Sequence, residues 1–400
     1  MESTRSEPMS YPFNRADDLE LDFRYADLRA AKTLIRIKLP YGEEAWLATR
    51  FEDARVVLGD PRFSRAASAG RDEPRTSPQN IGPDVILSMD PPEQTRIRRL
   101  ASKAFTQSSM EALRPKAQQV ADELIDRMIE LGPPADLVKN FASPLPVAMI
   151  CTLLGVPFAD QHLFLVWSEV FASATSLTPA QTEEYLGNLS GYMADLLRQR
   201  QETPTDDLLS GLVEARDRDD RLTSEEILRL AIVLLGAGHE NLTSEIPNFI
   251  YTLLNHPDEL DRLRTQPALV PQAVEELMRY IPLAVGTMLP RYALEDIKLG
   301  GVLVKAGEPV VASIGSANRD ETIFPHADDL DITRQVGLHM GFGYGAHHCL
   351  GASMARMELQ VALGTLISRF PALRLAVPEE KLSWRVGTFM RGVVELPIEW

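Results

Sequence analysis

The hydrophobic positions of this chain repeat mainly with the spacing of helices. From residue 92 to about residue 213, apolar side chains recur three or four positions apart, and Gly132-Pro133-Pro134 and Pro157 divide the run into successive helices. The longest helical pattern spans residues 223–254, opens with the capping sequence Thr-Ser-Glu-Glu and stops before His256-Pro257. We therefore expect a mainly α-helical fold in which this long helix crosses the core.

Short alternating patterns indicate small β-sheets at both ends of the helical region. Apolar residues alternate with polar ones over residues 35–39, and a second short strand follows a turn and contains Trp46. Strand patterns return around residues 297–304 and 310–314. A last helix, beginning at Leu350, carries apolar residues on one face. The order of elements predicts a mainly α protein with small β-sheets.

The composition adds bounds on domain number. The chain has 400 residues and 44% hydrophobic content, which is enough for a sizeable core. No flexible linker, internal repeat or low-complexity tract divides the sequence. We expect one catalytic domain over residues 1–400, with about residues 1–15 flexible.

Charge and cysteine usage narrow the class further. A formal net charge of −16 argues against a nucleic-acid partner, whose phosphates this surface would repel. The amino terminus lacks an apolar signal core, and the longest apolar run, residues 230–235, is too short to span a bilayer, so we expect a cytoplasmic protein without a membrane partner. Two cysteines cannot build a disulfide framework, and Cys151 lies in an apolar run that is typical of core packing.

The most specific feature is the sequence FGYGAHHCLG at residues 342–351, which surrounds Cys349 with glycines and histidines directly ahead of the last helix. The free N–H groups and positive dipole end of that helix would favour the thiolate, which is the form that binds metals. Gly343, Gly345 and Gly351 permit backbone geometries and close approaches that would let a flat cofactor lie against this loop.

Two other interpretations of Cys349 compete with a cofactor ligand. A lone cysteine in an intracellular chain is usually a small buried apolar residue. A zinc site could be built from His339, His347, His348 and Cys349, although structural zinc normally uses spaced pairs of ligands and adjacent histidines rarely both turn inward. The specific spacing around Cys349 favours the cofactor.

This loop resembles the haem-binding loop of the cytochrome P-450 family, whose pattern is F-G-x-G-x-H-x-C-x-G, and every fixed position matches. The resemblance implies the family's mostly helical fold, with haem b lying between the long central helix and the cysteine loop with its last helix. It also implies that Cys349 is the axial ligand of the haem iron.

Further residues resemble the family's haem contacts. Buried propionates need cationic or hydrogen-bonding partners, and Gln94 stands where many members carry histidine. The resemblance assigns cofactor binding to Gln94, Arg98, Arg291, Phe342, Gly343, His347, Cys349 and Gly351.

A second motif supports the resemblance. Glu276 and Arg279 lie three residues apart, on one helical face, where a carboxylate can hold a guanidinium. Most such pairs are solvated and contribute little. The family has a Glu-x-x-Arg pair in this place that a later arginine completes, and Arg334 fits that third position. The resemblance therefore implies that the trio is structural scaffolding beneath the haem.

The long helix departs from the family pattern. The family's oxygen-activation stretch usually ends in an acid followed by threonine, whereas here Glu240 is followed by Asn241. Glu240 could relay protons through water, while the Asn241 amide can donate a hydrogen bond but has no ionisable proton. Ala237 and Gly238 are small enough to leave a groove over the iron. Pro247 removes a helical hydrogen bond and should bend the helix one turn further on.

The resemblance also places the substrate pocket. Its segments are mainly apolar, which suits a large, weakly polar metabolite. The lining residues that it implies are Val233, Gly236, Ala237, Ala284, Thr287 and Phe389.

The function that the resemblance implies is that of a haem-thiolate monooxygenase of the soluble bacterial type found in secondary metabolism. It would use O2 and electrons from a separate ferredoxin and its NAD(P)H-dependent reductase to hydroxylate or epoxidise a polyketide, peptide or similar metabolite. Two interpretations fit the basic residues Arg96, Arg99 and Lys103. They form either a solvated helix face or a docking site for an acidic electron-transfer protein.

Two other functions remain open at this point. Asn241 suggests a second function, which is oxidative C–C or C–N coupling of an aromatic substrate without oxygen insertion. The substrate would be a phenol or an indole, for example in a cyclic dipeptide. A non-catalytic haem-binding protein is the third hypothesis.

Overall fold

Helices make up about half of the computed structural model, which describes residues 7–219, 222–286 and 289–400. The α-helices are α1 (Arg24–Ala31), α2 (Phe51–Gly59), α3 (Glu93–Ser102), α4 (Gln107–Ala112), α5 (Arg114–Leu131), α6 (Pro144–Leu154), α7 (Gln161–Trp167), α8 (Glu169–Ala172), α9 (Pro179–Glu202), α10 (Leu208–Asp219), α11 (Ser224–Leu254), α12 (Pro257–Thr265), α13 (Val270–Tyr280), α14 (Ile314–Ala317) and α15 (Ala352–Arg369).

The strands are short and lie mostly at the two ends of the chain. They are β1 (Met9–Ser10), β2 (Ile35–Lys38), β3 (Glu44–Ala48), β4 (Phe63–Ser64), β5 (Ala135–Asp136), β6 (Arg291–Ala293), β7 (Ile297–Leu299), β8 (Val302–Val304), β9 (Pro309–Ala312), β10 (Arg374–Leu375) and β11 (Pro397–Glu399).

The strands form three small sheets. The largest has the order β1-β2-β3-β9-β6-β4, in which β1 is parallel to β2 and β3 is parallel to β9, while the other pairs are antiparallel. A second sheet has the antiparallel order β10-β11-β5, and β7 pairs with β8 in a hairpin. The prediction of small sheets beside a helical core is confirmed.

The long helix α11 is the centre of that core. Its amino terminus is a capping box, because the Thr223 hydroxyl accepts the Glu226 N–H at 3.1 Å and the Glu226 carboxylate accepts the Thr223 N–H at 2.7 Å. At 31 residues, it is about 46 Å long and packs against α6, α9 and α15. Pro247 lies inside the helix, as the sequence predicts, and is buried.

Part of the amino-terminal segment that was predicted to be flexible packs against the rest of the protein. Met9 and Ser10 pair with β2, and Tyr11 and Phe13 are 2% and 3% exposed. The rings of Tyr11 and Phe13 make edge contacts, and Phe13 does the same with Tyr25, so burial of aromatic surface holds this segment. Residues 1–6, which the same prediction covered, lie outside the described part of the chain.

Two other expectations concern single residues. Cys151 is fully buried in α6, and burial raises its pKa to about 12, which confirms a packing role. The last helix begins at Ala352 and not at Leu350, because Gly351 is its N-cap and the preceding residues belong to the cysteine loop. Among the helices of the described ranges, none is long and apolar enough to cross a membrane.

Candidate active site

The cysteine loop is held by its own backbone. The Cys349 N–H donates to the Phe342 carbonyl at 2.8 Å, and a short 3-10 turn over Gly345–His347 fills the space between them. Gly343 and Gly345 both have φ of +72°, where a side chain would be strained. A Cβ on Gly345 would also collide with the carbonyl oxygen of Leu58 at the end of α2.

Gly351 differs from the other two glycines. Its φ is −85°, and the nearest atom to a Cβ at this position would be a ring carbon of Phe105 at 4.0 Å. Neither backbone strain nor contact with the described protein atoms requires glycine here, so the predicted conformational reason is wrong for Gly351.

The environment of Cys349 both opposes and supports the thiolate. The residue keeps accessible surface inside a recess whose walls displace bulk water, and this burial raises the pKa of the thiol. The Gly351 N–H and the charges of Arg98 and Arg356 act in the opposite direction. The start of the last helix acts in the predicted direction, because the Gly351 N–H lowers the pKa of Cys349, but burial has the larger effect. A metal ion bound to the sulfur stabilises the thiolate far more strongly.

A cluster of buried positive groups lies beside the loop. Arg291 is 4% exposed and its pKa is lowered to about 10 by burial and by the charge of Arg65, although Asp90 opposes this. Burial and the charges of Arg291, Arg98 and Arg65 lower the pKa of His347 to about 4, again against Asp90. The His347 Nε2 atom is buried with no hydrogen-bond partner in the described part of the protein. This surplus of donors and positive charge fits the two propionates of a haem.

Two predicted propionate contacts also anchor the cysteine loop. Gln94, buried in α3, donates from Nε2 to the Ala346 carbonyl at 2.6 Å. Arg98, one turn further along α3, donates to the His348 carbonyl. Helix α3 therefore fixes the backbone on both sides of His347, and binding of propionates by Gln94 and Arg98 stays a prediction.

The predicted scaffold residues meet in the interior. Arg279 donates to both carboxylate oxygens of Glu276, at 2.7 and 2.8 Å, and Arg334 donates to Glu276 at 3.1 Å. The side chains of Glu276 and Arg279 have no exposed surface, and that of Arg334 is 13% exposed. Arg279 also donates to the carbonyls of Asn318 and Ala327, so the trio joins α13 to the segment that leads to the cysteine loop.

The acid of the long helix is paired with its neighbour. His239 Nδ1 lies 2.9 Å from the Leu235 carbonyl, which can only accept, so Nδ1 carries a proton. The His239 Nε2 lies 3.2 Å from Glu240 Oε1, and this contact needs a proton on one of the two atoms. The buried Glu240 Oε2 has no hydrogen-bond partner in the described residues and lies 4.0 Å from an Arg385 nitrogen. Glu240 and His239 can thus hold a proton between them.

Asn241 points its amide back along the helix. Its Nδ2 donates to the Ala237 carbonyl at 3.4 Å, a weak bond, and Ala237 itself is exposed. The two glycines of this stretch serve packing: a Cβ on Gly236 would collide with the Phe171 ring of α8, and one on Gly238 would lie 2.7 Å from Ile150 of α6. The prediction that Gly238 leaves a groove over the iron is therefore wrong, because the Ile150 side chain fills the space beside this glycine.

Comparison with known proteins places this geometry in a family. Residues 160–383 match the family model of cytochrome P-450. The mycinamicin IV hydroxylase/epoxidase of Micromonospora griseorubida is 51% identical over 397 residues, which cover 99% of this chain and 100% of the relative. The chain belongs to the cytochrome P-450 family.

Other relatives agree with that assignment. The nocardicin C N-oxygenase of Nocardia uniformis subsp. tsuyamanensis is 48% identical over 398 residues, with 99% of this chain and 100% of the relative covered. A solved structure of the mixed-function P-450 MycG gives a TM-score of 0.94 at 52% identity, covering 98% of this chain and 100% of that one. A cytochrome P-450 with biaryl coupling reactivity gives 0.93 at 43% identity, with the same coverage.

The predictions of family, fold and enzyme class are thus confirmed. This cytochrome P-450 is an oxidoreductase of the monooxygenase class, and its cofactor is haem iron. The residues of the loop and the cationic cluster fit that group, as the partnerless His347 nitrogen and the buried Arg291 show.

Contacts in the structure link three of the six residues predicted to line the substrate pocket, Phe389, Ala284 and Gly236, while their role in binding a substrate stays a prediction. The Phe389 N–H donates to the Ala172 carbonyl at 2.9 Å, and the Phe389 carbonyl accepts the Val285 N–H at 3.0 Å. Ala284 forms a β-bridge with Met390 beside it. On α11, Val233 is half-buried and Gly236 lies under Phe171. Thr287 lies outside the described residues.

Sequence reasoning missed several buried charged groups. Arg65 is fully buried and paired with Glu73 beside the cationic cluster, and no spacing in the sequence marks it. Glu245 lies one turn beyond Asn241, and burial raises its pKa to about 8. Glu358 in α15 is fully buried, and neither of its oxygens has a hydrogen-bond partner in the described part of the chain. The sequence carries one signal for Glu245 and Glu358. Each is a charged residue at a position where the helical pattern of apolar residues points inward.

We expect Glu276→Gln to lower the free energy of unfolding by about 3–5 kcal/mol, because it leaves two buried guanidinium groups without their carboxylate. Urea unfolding measures the loss. Glu111→Gln is the control, since Glu111 holds Arg114 in an exposed pair whose removal should cost about 1 kcal/mol or less. Equal losses in the two variants would contradict a scaffold role for Glu276.

We expect Glu245→Gln to change the pH dependence of stability. The folded state keeps the Glu245 carboxyl protonated up to about pH 8, whereas the unfolded chain releases that proton near 4.5, so this group lowers stability as pH rises between those values. The variant should lose this component of the slope, and Glu225→Gln, at the exposed start of α11, should keep it. Urea unfolding at several pH values measures the slopes, and parallel curves for Glu245→Gln and the unaltered protein would contradict burial of a neutral acid.

Proposed function

We propose that this cytochrome P-450 hydroxylates or epoxidises a large, weakly polar secondary metabolite of the polyketide or peptide type. The observation that carries the proposal is the placement of the Cys349 loop next to a buried surplus of positive charge, which suits a haem held by sulfur and by its propionates. The names of the mycinamicin and nocardicin relatives support oxygen insertion into such metabolites.

Haem bound through Cys349 would activate dioxygen and supply an oxidant able to attack carbon–hydrogen bonds. In this proposal, Arg291 and His347 hold the propionates by charge and hydrogen bonding, with Arg98 and Gln94 assisting from α3. The buried Arg65 adds positive potential to the same region.

Protons and orientation come from the opposite wall in this proposal. The pair of His239 and Glu240 on the long helix holds a proton and delivers it to the place where dioxygen would bind. Glu240 can pass the proton on through Oε2, because that oxygen has no hydrogen-bond partner among the described groups. Apolar residues such as Ala284 and Phe389 exclude water and orient the substrate. Asn241 contributes a hydrogen-bond donor without an ionisable proton.

Electrons would come from a ferredoxin and its NAD(P)H-dependent reductase in the cytoplasm. Arg99 and Lys103 are exposed on and just beyond α3, on a chain whose net charge is −16, and they suit an acidic partner. Arg96 contributes less, because it is paired with Glu226 of α11.

The first experiment records the carbon monoxide difference spectrum of the reduced protein. We expect a thiolate-type, red-shifted Soret band, absent in Cys349→Ser and unchanged in Cys151→Ser, because only Cys349 lies in the loop. Reconstitution with ferredoxin, its reductase, NADPH and isotopically labelled dioxygen then tests mycinamicin IV and nocardicin C as probes, with mass spectrometry of the products. Bound haem whose spectrum is the same in Cys349→Ser would show that Cys349 is the wrong ligand and that the proposal fails.

A second candidate function is oxidative coupling of aromatic substrates. It is favoured by Asn241, whose amide bonds the Ala237 carbonyl and cannot relay a proton, and by the structural neighbour with biaryl coupling reactivity. In coupling, each of two substrate molecules loses one hydrogen atom as a bond forms between them. Dioxygen is the oxidant and is reduced to two water molecules with those two hydrogen atoms, two electrons from the ferredoxin and two protons, so no oxygen enters the product.

We expect Asn241→Thr to raise the share of oxygen-inserted product, because threonine restores a hydroxyl that can pass on a proton. Products from a naphthol and from a tryptophan cyclic dipeptide are compared by mass, with Asn188→Thr on the exposed face of α9 as the control. Coupled product that is the same in both variants would show that Asn241 does not set the reaction outcome.

A further inference from the structure

A second carboxylate, which is half-buried, lies beside the scaffold trio and belongs to a different network. Glu275 of α13 accepts from Arg356 of α15 at two points, Nε to Oε1 at 2.7 Å and Nη2 to Oε2 at 3.0 Å. It also lies 2.9 Å from the Nε2 of His339, whose side chain is 2% exposed. One carboxylate thus joins two elements to the segment that precedes the cysteine.

The hydrogen bonds of His339 define its protonation. The Gly341 N–H donates to His339 Nδ1 at 3.0 Å, so Nδ1 is an acceptor and the proton must lie on Nε2. The Nε2–H therefore donates to Glu275. A Cβ on Gly341 would lie 2.9 Å from that Nδ1 and 3.1 Å from the Met278 carbonyl oxygen. Glycine at this position therefore leaves the space that the His339 ring occupies.

Both partners of Glu275 contact Phe342, the first residue of the cysteine loop. The Arg356 guanidinium lies 4.3 Å over the centre of the Phe342 ring, and the His339 ring centroid lies 5.9 Å from it. The Phe342 carbonyl accepts the Cys349 N–H. A continuous set of contacts therefore leads from Glu275 to the backbone of Cys349.

The charges of Glu275 and Arg356 also act on Cys349. Burial raises the pKa of Glu275, but the hydrogen bonds from His339 and Arg356 and the charge of Arg356 outweigh it, so the pKa falls to about 2 and the group is a carboxylate. Arg356 is also one of the positive groups that favour the Cys349 thiolate. Glu275 therefore holds this cation in place and partly neutralises it.

We propose that Glu275 is a positioning residue for the haem ligand: its carboxylate holds His339 and Arg356 against Phe342, and so sets both the place of the cysteine loop and the net positive charge that faces Cys349. The inference rests on the proposed role of Cys349 as iron ligand. It assigns Glu275 a role distinct from that of Glu276, whose partners lie in the interior scaffold.

The test compares Glu275→Gln, Arg356→Gln and a matched control in the haem-loaded protein. Glu308→Gln is the control, because Glu308 is 22% exposed against 24% for Glu275 and also joins an arginine, Arg36, to an aromatic ring, Trp46, far from the loop in sequence. The readouts are the reduction potential of the iron and the rate at which the carbon monoxide complex changes from the thiolate-type to the thiol-type spectrum.

We expect the reduction potential to rise in Glu275→Gln, because Arg356 loses its neutralising partner, and to fall in Arg356→Gln, because a cation near the iron is removed. The thiolate-type complex of Glu275→Gln should convert roughly tenfold faster, as expected for a lost charge-assisted hydrogen bond. Glu308→Gln should match the unaltered protein in both readouts.

Shifts of the same sign in Glu275→Gln and Arg356→Gln, or readouts for Glu275→Gln that equal those of Glu308→Gln, would overturn the positioning role and leave the proposed function intact. If Glu275→Gln does not retain haem, the Arg356→Gln potential decides alone, and an unchanged or raised value overturns the inference. An unaltered protein without the thiolate-type band would overturn the inference together with the proposed function.

Discussion

The rest of the site depends on the need to neutralise charge that is buried without water. Glu276 has no exposed surface, and its two oxygens are shared by Arg279 and Arg334. Removal of either sign alone would leave a buried charge that the interior cannot solvate. Because Arg279 also donates to the carbonyls of Asn318 and Ala327, the irregular chain before the cysteine loop is fastened to α13 by bonds that require no regular secondary structure.

The features that could be predicted from the sequence are those encoded over short spacings. The residue pattern around Cys349 and the three-residue spacing of Glu276 and Arg279 are local, and local geometry carries them into the structure unchanged. The capping box likewise predicts the start of α11 from the four residues between Thr223 and Glu226. Long apolar periodicity then gives the helix that crosses the core, and so the fold class follows from patterns that need no knowledge of partners.

The parts that could not be predicted depend on contacts between distant segments. Arg65 becomes part of the cationic cluster only because the sheet brings it beside Arg291, 226 residues later. Gly238 was assigned to a groove, yet its neighbour is Ile150 of α6. The first residues were predicted to be flexible, but the rings of Tyr11 and Phe13 contact each other, and the Phe13 ring also contacts that of Tyr25. Composition alone does not reveal such partners.

The contact of Phe171 with Gly236 couples a short helix to the longest one. Phe171 belongs to the four-residue helix α8, whereas Gly236 lies one turn before Glu240 on α11. Because a Cβ at Gly236 would overlap the Phe171 ring, a larger residue there would push α8 away from α11. Burial and the charge of Glu240 also raise the pKa of Glu169 in α8, so a change in either helix is felt by the other.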